Sequence, residues 1–129
     1  MNKKHKYKQS KTEHLISKKA ISVLFENGKR DSDFPLFYSY IKTIENQDVK
    51  VLFSVSKKNF KKAVLRNYHK RLLREAYRLN KNELFERVKN KDFGLNIVFS
   101  VTGMEKLNFY VINEKIKLIL KRIMQDIDD

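Results

Sequence analysis

Apolar and polar positions follow different rhythms in successive stretches of the chain. From Ser17 to Asn27, Ala20, Ile21, Leu24 and Phe25 recur at three- and four-residue steps, the period of one helix face. Ser17 reads as the N-cap of that helix and Gly28 as the stop just past its end. "FPLFYSYI" (34–41) is rich in aromatic residues and reads as a strand, with Pro35 near its start, where a missing N–H is tolerated. After the polar turn "KTIENQD", "VKVLFSVS" (49–56) reads as a second strand, and the short separation predicts an antiparallel pair. A long basic helix follows, ending between Leu79 and Lys89. "LNIVFSV" (95–101) is a continuous apolar run after Gly94 and predicts a buried central strand. Beyond Gly103, Phe109, Ile112, Ile116, Ile119, Leu120, Ile123 and Ile127 repeat at helical steps and predict a C-terminal helix. The expected fold is an α+β sandwich of order α-β-β-α-β-α, with helices packed on a small sheet.

Length and composition narrow this picture. A chain of 129 residues fits one domain, and 41% hydrophobic content with nine Phe and six Tyr supports a packed core. Residues 1–14 read as a mobile basic arm, and Asp126, Asp128 and Asp129 as a solvated acidic terminus. The basic start is followed by no apolar signal-peptide core, and no apolar run approaches the roughly 18 residues of a membrane span. With no cysteine there is neither a disulfide framework nor a thiolate nucleophile, and the expected location is the cytoplasm. His5, His14 and His69 are dispersed without ligand spacing, and no Ser/His/Asp set or carboxylate cluster stands out. The net charge of +14 is the dominant signal, because self-repulsion on that scale implies a polyanionic partner.

That charge is concentrated. Between Lys57 and Arg78, nine Lys or Arg stand against one acid, Glu75. On a helical wheel with Arg66 at zero, Lys70, Arg74, Asn67, Arg78 and Arg71 fall between roughly 40° and 140°. Tyr68, Leu79, Leu72, Leu65 and Ala76 fall between roughly 200° and 280°. One side is thereby free to pack on the sheet while the other presents a row of cations. Arg66, Lys70, Arg74 and Arg78 repeat every four residues with one sign, which destabilises an isolated helix and favours polyanion binding over a merely solvated face. Arg suits bidentate phosphate contact and Lys supplies point charge, while Asn67 both donates and accepts. Lys57, Lys58, Lys61 and Lys62 extend the patch to the helix start, where the dipole adds to anion attraction.

The same residues carry a family likeness. "SVSKK" followed by "AVLRNYHKRLLREAYR" resembles the signature of bacterial ribonuclease P protein subunits, in which an "SKK" strand end leads into a helix bearing "AVxRNxxKRxxRE". Ser56-Lys57-Lys58, Ala63-Val64, Arg66-Asn67, Lys70-Arg71 and Arg74-Glu75 match it position for position, and "LFENGKR" (24–30) is similar to the family's first helix and glycine stop. The chain departs from the pattern at Tyr68, where Arg is common, at His69, where an aliphatic residue is common, and at Ile21, which replaces the first aromatic of the first helix. The glycine common before "AV" is missing, and "NFKK" is one residue longer.

The resemblance implies an α+β fold related to a ribosomal-protein domain, with a left-handed βαβ crossover where general rules give a right-handed one. It implies a non-catalytic protein subunit of ribonuclease P, an endoribonuclease that removes the 5′ leader of precursor tRNA. Hydrolysis would belong to the RNA subunit and its Mg²⁺, with no cofactor on the protein. Lys57, Lys58, Lys61, Lys62, Arg66, Asn67, Lys70, Arg71, Arg74 and Arg78 would bind the catalytic RNA at one protein per RNA. A cleft between the first helix and the sheet, walled by Phe25 and Phe37, would take the single-stranded leader, where stacking tolerates any sequence. The alternative is a ribosomal or regulatory RNA-binding protein with no role in cleavage; a membrane-surface role would need large apolar side chains free to enter lipid.

Overall fold

A computed structural model describes residues 17–45 and 47–128, so the basic arm expected over residues 1–14, and Asp129, lie outside the described residues. The chain runs α1 (Lys18–Asn27), β1 (Lys29–Asp33), β2 (Leu36–Thr43), β3 (Val49–Ser54), α2 (Ala63–Asn80), α3 (Asn82–Lys89), β4 (Gly94–Val101) and α4 (Phe109–Asp128). The architecture is mixed α+β, with one four-stranded sheet in the order β1-β2-β4-β3. β2 is antiparallel to both β1 and β4, whereas β3 runs parallel to β4.

Three features correct the sequence reading. β2 and β3 are not an antiparallel pair, because β4 lies between them. The polar connection 44–48 needs to span only two strand spacings of about 4.8 Å each, well within reach of five residues. β1, "KRDSD", has no apolar periodicity because it is the outermost strand, paired on one side only. The helical stretch after β3 is two helices, parted at Lys81, with Asn80 Nδ2 donating to the Ala76 carbonyl and to Asn113 Oδ1 of α4. The parallel pair β3 and β4 is joined through α2 and α3, the crossover to which the resemblance assigns its unusual hand.

Strand alternation decides what lies on each face. Leu36, Tyr38 and Tyr40 of β2, Val51 and Phe53 of β3, and Leu95, Ile97 and Phe99 of β4 join the core with Leu73, Ala76 and Tyr77 of α2 and Ile112, Ile116 and Ile123 of α4. Each such Leu or Ile contributes roughly 1.5–3 kcal/mol by burial. The other face carries α1 alone, packed on β2 and β4 through the fully buried Leu24. Ser17 caps α1 as expected, its Oγ accepting from the Ala20 N–H at 3.1 Å. Gly28 ends it for a different reason from a left-handed cap, since its backbone is extended (φ −70°, ψ 151°). A Cβ there would stand 2.4 Å from the Leu24 carbonyl oxygen and 2.6 Å from Ser39 Oγ, so only glycine lets the chain pass between α1 and β2.

The acidic end of α4 is not a solvated tail. Asp126 accepts from Lys29 Nζ of β1 at 2.8 and 2.9 Å and from the Tyr40 hydroxyl of β2, and Asp128 pairs with Arg87 and Lys91. The Lys29 bond, then the Tyr40 bond, hold the Asp126 carboxyl below its ordinary range, and Lys91 does so first for Asp128. Burial, then the neighbouring Asp126, push the Tyr40 phenol up, which keeps it a donor. Among the described residues no helix is long and apolar enough to cross a membrane.

Candidate nucleic-acid interface

The connection from β3 to α2 is held by its own side chains. Ser56 Oγ accepts from the N–H groups of Lys58 (3.0 Å) and Asn59 (3.3 Å), and Asn59 Nδ2 donates to the carbonyls of Thr102 (2.8 Å) and Gly103 (3.1 Å). Phe60 is buried with its ring 4.3 Å from that of His69. Lys57, Lys58, Lys61 and Lys62 are thus exposed on a fixed backbone. α2 starts at Ala63 with no side-chain cap.

The buried side of α2 comprises His69, Leu73, Ala76 and Tyr77, and is rotated by roughly 80° from the apolar arc read from sequence. Leu79, counted there as apolar, is 53% exposed, whereas His69, which that arc leaves out, is fully buried. Both ring nitrogens of His69 are used. Nε2 accepts from the Leu107 N–H at 3.0 Å, so Nδ1 carries the proton and donates to the Leu65 carbonyl at 2.8 Å. The adjacent Tyr68 hydroxyl donates to the Leu107 carbonyl at 2.7 Å. The two departures from the family pattern therefore hold both backbone groups of a single residue in the loop before α4.

The rotation sorts the predicted contacts. Asn67, Arg71 and Arg74 are exposed, and Lys70 is half-buried beside them. Together with Tyr68 and the exposed Val64 they line one open basin. Arg66 lies at the margin and is engaged within the protein, its NH1 donating to the carbonyls of Phe60 (2.8 Å) and Lys61 (2.7 Å). Arg78 stands apart and pairs with Glu75. Arg71 lies 5.9 Å from the centre of the Tyr68 ring and Arg74 the same distance from that of Phe53. Lys106, which the sequence reading missed, stands 4.8 Å over the Tyr68 ring. Nothing local marks Lys106, since only the clamp on Leu107 brings its loop to the basic helix.

On the opposite face of the sheet a groove separates α1 from the strands, lined by Ala20 and Val23 of α1, Ile41 and Thr43 of β2, and Asn96 of β4. Phe25 is exposed on α1, and Phe37 is half-buried on β2, on the α1 side by alternation with Tyr38; neither lines this groove. Among the described residues no three His, Asp or Glu come together in a way that could hold a metal ion.

Comparison with known proteins yields one family throughout. The family model described as Ribonuclease P matches residues 10–124. A ribonuclease P protein component of Porphyromonas gingivalis is 36% identical over 116 residues, covering 88% of this chain and 85% of the relative. That of Chlorobium phaeobacteroides is 45% identical over 80 residues, covering 58% of this chain and 55% of the relative. Among solved structures, the Staphylococcus aureus RNase P protein superposes with a TM-score of 0.69 at 19% identity, covering 88% of this chain and 96% of that one. The Thermotoga maritima RNase P protein gives 0.65 at 25% identity, covering 85% and 96%.

Proposed function

The chain belongs to the ribonuclease P protein family, and from that premise we propose how its two surfaces divide the work of the enzyme. It is a protein subunit of ribonuclease P, acts in tRNA processing, and has RNase P RNA as its partner. The exposed side of α2 docks that RNA, with Asn67, Lys70, Arg71 and Arg74 at the centre of the contact. Lys57, Lys58, Lys61 and Lys62 extend the contact along the backbone, and Arg66 and Arg78 stand at its edges. The groove under α1 takes the 5′ leader of precursor tRNA, with Phe25 and Phe37 on the same side of the sheet as stacking surfaces. Hydrolysis belongs to the RNA and the Mg²⁺ it holds; the protein contributes binding, one copy per RNA, in the cytoplasm, and carries no cofactor of its own.

The observation that carries this reading is the basin on α2. Four side chains with phosphate and base-edge chemistry meet there on a helix whose other side is sealed in the core. Clustered like charges cost stability in the free protein and are offset only when a polyanion covers them. The test is cleavage of precursor tRNA by the purified chain, with and without RNase P RNA. Correct 5′ processing is expected only when RNA is present, and cleavage by the protein alone would overturn the division of labour.

A further inference from the structure

The loop between β4 and α4, residues 102–108, has no apolar rhythm, yet side chains of the docking segment fix it at both ends. Asn59, ahead of α2, donates to the carbonyls of Thr102 and Gly103 at 2.8 and 3.1 Å. Tyr68 and His69, on α2, hold the carbonyl and the N–H of Leu107 at 2.7 and 3.0 Å. His69 is itself locked, buried against the Phe60 ring with its other nitrogen on the Leu65 carbonyl. An exposed loop needs no such bonds to connect a strand to a helix, and each of them costs conformational freedom.

What the bonds place is Lys106. Its side chain is exposed, with the ammonium 4.8 Å over the Tyr68 ring, and it enters no ion pair among the described residues, not even with adjacent Glu105. A ring face attracts a cation without neutralising it, and narrows the rotamers that a free lysine would lose on binding. Arg71 lies 5.9 Å from the centre of the same ring, and Tyr68 lines the basin with Arg71 and Arg74. A charge from outside the helix thus stands, oriented and uncompensated, beside the basin.

We infer that this loop is a second docking element for RNase P RNA, in which Lys106 contacts a backbone phosphate and Tyr68 and His69 are positioning residues. The inference rests on the reading of the α2 basin as the docking surface. A point charge held in place before binding loses little freedom in the complex, so Lys106 adds one phosphate to those the helix takes. An aliphatic residue at position 69 would leave the Leu107 N–H without its acceptor and the loop without one of its ties.

The test is equilibrium binding of the full chain to RNase P RNA over a salt series. One neutralised phosphate carries a slope of about 0.7–0.9 in log affinity against log salt, or about five- to eightfold in affinity at about 0.1 M. Lys106→Ala is expected to lose that slope and that affinity, and Lys106→Arg to keep both. Tyr68→Phe keeps the ring but frees the Leu107 carbonyl, and His69→Leu frees its N–H. In the chain carrying both changes, Lys106→Ala should cost less than about twofold more, a coupling that a merely structural role would not produce. If that double variant unfolds, Tyr68→Phe alone serves, and Lys106→Ala should cost less in it than in the wild type. A Lys106→Ala chain with wild-type slope and affinity overturns the inference, and so does an equal loss in the wild-type and released backgrounds. Arg71→Ala separates the two levels. If it weakens binding while Lys106→Ala does not, only the role of the loop fails. If neither weakens binding, the docking reading fails, and the inference with it.

Discussion

Arg66 and Arg71 carry the same guanidinium on the same helix, yet their surroundings give them different work. Arg66 turns back onto the carbonyls of Phe60 and Lys61 and braces the loop that leads into α2, while Arg71 projects into the basin beside Tyr68. Arg66→Ala is therefore expected to lower stability by roughly 1–2 kcal/mol and to weaken RNA binding. Arg71→Ala should weaken RNA binding with stability unchanged within about 0.5 kcal/mol. Urea unfolding paired with RNA titration tests both, and equal loss of stability in the two variants would contradict the assignment. Sequence alone treats the pair as equivalent because a wheel records angle and not the carbonyls a side chain can reach. The same blindness leaves His69 out of the apolar arc. A polar ring is scored as outward, although two backbone partners make its burial affordable.

At the scale of elements, the long periodic stretches were legible and the pairing between them was not. α1, β2, β3, β4 and α4 stand where the hydrophobic rhythm puts them, because each buries a face whose period shows locally. β1 hides because what fixes it is its ladder with β2 and charged side chains that reach α4, neither of which leaves an apolar rhythm. Lys29 binds Asp126, and Asp33 meets Lys115 and Arg122, all on α4. The Asp126 latch has a sign in pH. Its carboxyl is held below the ordinary range in the folded state, so its contribution is complete above the unfolded value near 3.9 and is lost as pH falls through the folded value. Asp126→Asn should cost roughly 1 kcal/mol at pH 7, a cost that shrinks as acid protonates the carboxyl in the folded wild type. Urea midpoints of the two proteins along a falling pH series check this; equal midpoints at pH 7 would show that the latch contributes nothing.

For the molecule as a whole, the charge of +14 was readable from the first line of sequence, but its distribution needed the fold. The cations of α2 and its preceding loop occupy the outside of the crossover, and the groove under α1 opens on the other face of the sheet. Affinity for RNase P RNA should fall steeply with salt, with a slope of about 0.7–0.9 for each phosphate neutralised. A flat response across a salt series would mean that phosphates do not hold the complex. The charged edge strand has a further consequence. β1 leaves its outer N–H and C=O groups unpaired by the sheet, a template on which the strand of another molecule could add. Lys29, Arg30, Asp31 and Asp33 crowd that margin with both signs, so an incoming copy meets charges it would have to desolvate. A subunit synthesised apart from its RNA thereby carries in its least regular strand a guard against aggregation.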